Sequence, residues 1–244
     1  MMEAINNIHD LQTGDIILFS NKKSWFSRLI EWKTQTKWSH VAMVLKDPTY
    51  INPSLQGLYI WESAAEKFGD SENNKKKIGV QITDLSKIID FNFNDNDNDN
   101  DKNTKNKKNI KNIKNTKNTK KKYGYHGEVY FRRLYGNTLT EDELQRRIID
   151  IHNVVHNKPY DFELLDFLIA TKESNIVNKK KKFINSKKTT KFFCSALVGY
   201  IYTQLGIISK DTNWTRCEPA FFSTDNKSIE FLGNYQLGDE LRLM

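Results

Sequence analysis

Three residues in this chain have the types and settings needed to make and break an acyl bond. Cys194 opens the segment CSALVGYIYTQLG. Leu197, Val198, Ile201 and Leu205 recur there at helical spacing, and Cys194 lies on the same stripe in the first turn. A helix start presents free N–H groups and a positive dipole end. Both favour a thiolate, and the N–H groups can hold an oxyanion at an attacked carbonyl. A thiol nucleophile needs a base, and the base needs an orienting group. His40 in WSHVAMVL stands at the head of an apolar strand, and Glu62 in YIWES lies on the next one. If those strands are antiparallel neighbours, His40 at the start of one lies opposite Glu62 at the end of the other. The carboxylate would then fix the imidazole tautomer and stabilise its charged form. Taken alone, each residue has a plainer reading: a buried structural cysteine, a satisfied histidine at a strand end, and a solvated strand terminus.

Other chemistry-bearing residues fit less well. His152 and His156 have the i, i+4 spacing that puts two metal ligands on one helix face. The intervening NVV lacks the glutamate of a zinc-protease helix, and the pair flanks an apolar stripe, so a partly exposed pair and no metal site are expected. The run NDNDNDND imitates calcium-ligand spacing but lacks the central glycine and terminal glutamate of an EF-hand. Cys217 in TRCEPAFF has no helix start or base beside it and is expected to be structural.

The elements that must position these groups are legible from periodicity. Short apolar runs at DIILFS (Asp15–Ser20), SHVAMVL, GLYIWES (Gly57–Ser63), IGVQIT (Ile78–Thr83) and EVYFRRL (Glu128–Leu134) read as strands. The short gaps between most of them suit an antiparallel meander. SWFSRLIEWKT (Ser24–Thr34) reads as a helix. TEDELQRRIIDIHNVVHN begins with Thr140 and carries Glu143 three residues on, a capping-box pattern. Leu144, Ile148, Ile151 and Val155 then form one stripe. DFELLDFLIA follows Pro159, and the cysteine helix ends at Gly206. Strands followed by helices predict an α+β domain.

The chain has 244 residues and a net charge of +8, enough for one domain with a sizeable core. The basic charge is confined to two segments. Asn94–Lys122 has ten Lys against four Asp, and Lys172–Lys191 has eight Lys against one Glu; everything else together carries −5. The first segment repeats Asn-Asp and then Lys and Asn every three residues, which builds no apolar face and predicts a disordered insertion. The second, NKKKKFINSKK, is expected to be a flexible loop. Basic residues outside the folded elements and without interleaved aromatics beyond Phe183 argue against nucleic-acid binding. They leave polyanion binding and peripheral contact with an anionic membrane as alternatives. No apolar run long enough to span a membrane and no secretory leader are seen, and two cysteines form no disulfide framework. A reducing, cytoplasmic location is expected.

In combination and order, LQTGDIILF, WSHVAMVL, YIWES and a late FFCSALVGYIYTQLG resemble the circularly permuted branch of the NlpC-type papain-like superfamily. That branch includes YiiX-type bacterial proteins, a poxvirus family and the lecithin:retinol acyltransferase relatives. In ordinary papain-like enzymes the cysteine helix precedes the histidine strand; here the histidine strand comes first. The resemblance implies a single papain-like domain over residues 1–244. Cys194 would be the nucleophile, His40 the base and Glu62 its orienting residue. The substrate would be a peptide or lipid acyl group, with no cofactor. The PYDF stretch matches a Tyr-Asp pair common in the family, so Tyr160 would line the pocket or assist the oxyanion. Ser39 and Ser195, beside the two central residues, are the remaining candidates for substrate contact. Hydrolysis and acyl transfer differ only in the acceptor. A non-catalytic scaffold keeping the fold is the alternative.

Overall fold

The structure is a computed structural model that describes residues 8–20, 36–88, 127–163 and 189–243. The helix expected at 24–34, the insertion at 94–122, most of the Lys-rich loop and the part of DFELLDFLIA after residue 163 lie outside the described residues.

The architecture is α+β. Six strands form one antiparallel sheet: β1 (Ile16–Ser20), β2 (His40–Lys46), β3 (Leu58–Gly69), β4 (Lys76–Asp84), β5 (Glu128–Arg132) and β8 (Leu241–Arg242). Their order is β4-β3-β2-β1-β5-β8. The meander expected from the gaps holds for β1 to β4. It fails at β5, which returns to the far side of β1 instead of joining β4. The EVYFRRL run breaks at Arg133, and Leu134–Tyr135 (β6) pairs with Gln236–Leu237 (β7) in a separate small sheet.

The central strands are buried on both faces, as their near-continuous apolar runs require. Alternate residues on one face, among them Ile16, Met43, Trp61 and Ile82, pack with the helices. The other face, with Ile17, Ala42, Val44, Ile60 and Phe131, packs around Leu11 and the short helix α1 (Leu85–Ile88). Helix α2 (Glu141–Val155) starts on Thr140, whose hydroxyl accepts the Glu143 N–H at 3.3 Å. Only that half of the capping box forms, because the Glu143 carboxylate turns to Arg147 at 2.6 Å. Ile148, Ile151 and Val155 are buried, and Leu144 packs against them at the core's margin.

Helix α3 (Cys194–Leu205) departs from the one-sided stripe expected of it. Every residue except Gln204 is buried. Gly199 explains one flank: a Cβ there would meet Trp214 Cβ at 3.0 Å and Cys217 Sγ at 3.2 Å. The missing side chain lets the 214–217 segment lie directly on the helix. The helix ends at Gly206, in the left-handed conformation. Tyr202 donates to the Gly14 carbonyl at 2.6 Å, tying α3 to the turn that starts β1. Two buried charges complete that end of the domain. Asp15 accepts the N–H groups of Gln12 and Leu134 at 2.9 and 3.0 Å. Arg132 donates to the carbonyls of Gly238, Phe222 and Leu237 at 2.6, 2.8 and 3.0 Å.

Candidate active site

The sheet register sets the first half of the site. β2 and β3 pair from Lys46↔Leu58 to Met43↔Trp61. Continuing that register puts Ala42 opposite Glu62, so His40 and Glu62 are diagonal neighbours on one face, close enough for long side chains to meet. His40 Nε2 lies 2.7 Å from Glu62 Oε2. Glu62 is not the solvated strand terminus of its plainer reading. β3 runs on to Gly69, and the Glu62 side chain is 3% exposed. Its other oxygen accepts the Thr83 hydroxyl at 2.6 Å and the Gln81 amide at 3.2 Å. Gln81 and Thr83 are polar partners of Glu62 that sequence reasoning passed over. The signal was present: two polar residues at alternate positions in an apolar strand line one face.

The second half is the start of α3. Phe193 takes the N-cap position and has no side-chain oxygen to cap the helix. By helix geometry the N–H groups of Cys194, Ser195 and Ala196 have no intrahelical acceptor. Ser63, next to Glu62, donates to the Phe192 carbonyl at 2.7 Å and ties β3 to the approach to α3. The Pro159–Asp161 stretch runs parallel to Phe192: the Phe192 N–H donates to the Pro159 carbonyl, and the Asp161 N–H donates to the Phe192 carbonyl, both at 3.0 Å. This stretch also packs on β4, where the Val80 N–H donates to the Lys158 carbonyl at 2.9 Å. Gly79 makes that approach possible, because its φ is +127° and a Cβ would sit 2.3 Å from the Lys158 oxygen.

The two halves meet at His40, whose imidazole is hydrogen-bonded to Glu62 at 2.7 Å and lies near enough to Cys194 for that group to act on its proton affinity. With Nε2 on Glu62, Nδ1 is the ring nitrogen left for the sulfur. Burial by itself would lower the imidazole's proton affinity. Negative charge on Cys194 and the bond and charge of Glu62 outweigh burial and push the pKa up to about 10. Burial opposes ionisation of Glu62 as well, but His40, Thr83 and Gln81 hold its pKa below the ordinary value. The arrangement therefore favours the protonated form of the His40 imidazole.

The remaining candidates fall into two groups. Tyr160 is buried against Phe193, with ring centroids 5.6 Å apart. Burial, then the charges of Cys194 and Asp161, raise its pKa well above the ordinary value, so it stands near the sulfur as a neutral phenol. Ser39 and Ser195 do not join it. The Ser39 hydroxyl donates to the Phe19 carbonyl at 3.2 Å, and Ser195 donates to the Cys217 carbonyl. Both serines are buried. Their side chains brace the main chain on either side of the site. Cys217 is a buried thiol whose pKa burial pushes up to about 12.

No family model matches this chain, and no curated protein matches it. Among solved structures it is similar to the metalloprotein YiiX from Escherichia coli O157:H7, with 19% identity and a TM-score of 0.42. The alignment covers 80% of this chain and 66% of that one, so the chain spans just under two thirds of its neighbour's length. Among the described residues, no helix is long and apolar enough to cross a membrane.

Proposed function

We propose that this chain is a thiol-dependent hydrolase or acyltransferase built on a circularly permuted papain-like fold. The observation that carries the reading is one imidazole bound to a buried carboxylate, with a cysteine at a helix start near enough to raise its proton affinity. The chain order supports the permutation: histidine strand, acid strand, then cysteine helix.

In this reading His40 takes the Cys194 proton, and the thiolate attacks an amide or ester carbonyl. The N–H groups at the start of α3 receive the oxyanion. The imidazolium returns its proton to the leaving amine or alcohol, giving a thioester on Cys194. Water or an acceptor amine or alcohol, deprotonated by His40, then releases the acyl group. Glu62 stays ionised and holds the ring orientation throughout. Tyr160 lines the acyl side of the pocket.

The test uses a small alkylating reagent and a chromogenic phenyl ester of a short acid. Modification should fall on Cys194, and the ester should give a burst of phenol stoichiometric with protein. His40→Ala should lose both at neutral pH while the protein stays folded. A folded native protein whose Cys194 reacts no faster than in His40→Ala would rule out the enzyme and leave a scaffold that keeps the fold.

A further inference from the structure

The i, i+4 pair His152 and His156 is partly exposed, as expected from the sequence, but its two rings share a third residue. His152 sits in the last turn of α2, and His156 caps it with an N–H bond to the His152 carbonyl at 2.7 Å. Both rings turn toward Glu72, in the turn between β3 and β4. His152 Nε2 is 3.0 Å from one Glu72 oxygen, and His156 Nδ1 is 3.2 Å from the other. The ring centroids are 4.7 Å apart, and one donor atom from each residue falls within a common 4.8 Å.

We propose that Glu72, His152 and His156 form a binding site for a first-row divalent transition metal, with zinc as its foremost occupant. The geometry and the donor types both support this. Zinc holds nitrogen and carboxylate donors at about 2.0–2.2 Å, which puts tetrahedral neighbours roughly 3.3 Å apart. Both nitrogens approach the same oxygen, Glu72 Oε2, at 3.1 Å from His152 Nε2 and 3.2 Å from His156 Nδ1, close to that spacing. Two imidazoles and one carboxylate suit zinc, cobalt, nickel or copper, whereas magnesium and calcium call for oxygen donors. The His156 side chain is 30% exposed, against 13% for His152 and 11% for Glu72. A fourth position is therefore open to water.

The donors stand on a braced frame. The Glu72 N–H donates to the buried Asp70 carboxylate at 3.3 Å, and the Ser71 N–H donates to the Ile82 carbonyl at 2.7 Å. Asn52 donates its side-chain amide to the Glu72 carbonyl at 3.3 Å. The charge of Lys77 also acts on Glu72. Its ammonium is bound to Asp70 at 2.6 Å and Asn157 at 2.8 Å, which offsets its repulsion of a metal ion. An ion here would clamp the end of α2 to the β3–β4 turn. That end leads straight into the Lys158–Tyr160 stretch beside Cys194, so the clamp would act as a structural brace behind the thiol site.

The experiment is zinc titration calorimetry on the full chain with Cys194→Ala, which removes the thiol as a competing ligand. One equivalent should bind. Adding His152→Ala, His156→Ala or Glu72→Gln should weaken binding by about 100-fold or more. Zinc should raise the melting temperature of the Cys194→Ala protein but not of the proteins that also carry one of these three substitutions. Glu72→Gln keeps hydrogen-bonding capacity toward both histidines and serves if a histidine variant fails to fold. Cobalt should give a nitrogen–oxygen tetrahedral spectrum without thiolate charge transfer. No binding tighter than about 10 μM, or binding undiminished by these substitutions, would overturn the proposal.

Discussion

Replacing Glu62 with Gln removes one negative charge from a buried position and almost nothing else. Thr83 and Gln81 both donate to Glu62 Oε1, so the new amide is drawn to point its oxygen at them. Its NH2 then faces His40 Nε2. Two donors cannot share that contact, so the imidazole must keep its single proton on Nδ1, the nitrogen beside Cys194, where it cannot act as a base. The opposite amide orientation sets NH2 against the Gln81 NH2. Gln81 can turn in response, because its own oxygen is buried without a partner among the described residues. In that case a neutral hydrogen bond replaces a charge-assisted one. The difference between the two kinds is about 1–1.5 kcal/mol, or about tenfold in the balance between ion pair and neutral pair. The protonated form of the His40 imidazole should therefore lose about tenfold against the neutral form if the amides rearrange, and more if they do not. The assay is the pH titration of thiolate ultraviolet absorbance, with Cys194→Ala as the blank, alongside NMR titration of the His40 ring. The His40 midpoint should move down from about 10. The stability effect has a defined window. The raised His40 pKa contributes stability below the unfolded value of 6.5 that fades as pH approaches 10, and the lowered Glu62 pKa contributes stability that fades in acid. Glu62→Gln should thus destabilise most between those limits. A folded variant with the thiolate titration and His40 midpoint of the native protein would refute the role assigned to Glu62.

Two further substitutions test the frame. Arg132→Met should cost about 3 kcal/mol by urea denaturation, because the carbonyls of Gly238, Phe222 and Leu237 lose their buried donor; an unchanged midpoint would show that they find other partners. Gly79→Ala must displace the Lys158 carbonyl, so it should cost upwards of about 1–3 kcal/mol. It should also slow Cys194 alkylation by shifting Tyr160; a loss of stability with native alkylation kinetics would separate this packing from the site.

Sequence periodicity located the strands well, because residues such as Ile16, Met43 and Trp61 are where they are for burial alone. Strand ends and partners were harder. β3 continues past Ser63 through AAEKFG, a segment that does not alternate in hydropathy but still pairs with β4 after an irregularity between Ala64 and Phe68. The return of β5 to β1 was hidden because the low-complexity insertion before it carries no information about which sheet edge the chain rejoins. Helix α3 was read as amphipathic from four aliphatic residues. Tyr200 and Tyr202 were equally informative: with Gln204 the only exposed residue, the helix has no solvent face.

The two sites differ in how much of each a sequence can carry. Cys194, His40 and Glu62 each occupy a position with a local signature: a helix start, a strand head and a polar interruption in an apolar strand. Antiparallel pairing of neighbouring strands then supplies the contact between the last two. Glu72 has no such signature. It lies in SEN, a short polar turn that composition makes indistinguishable from any solvated connection, and it meets His152 and His156 only because α2 packs across the end of the β3–β4 hairpin. The histidine spacing was visible, but spacing on one helix supplies two donors, and two donors fit a surface pair as well as a metal. The third donor decides between them, and only tertiary packing reveals it. The Thr83 and Gln81 donors behind Glu62 follow the same logic one step further from the chemistry. They stabilise an ionised carboxylate that stabilises an imidazolium, so their contribution appears only once the register of β3 against β4 is known.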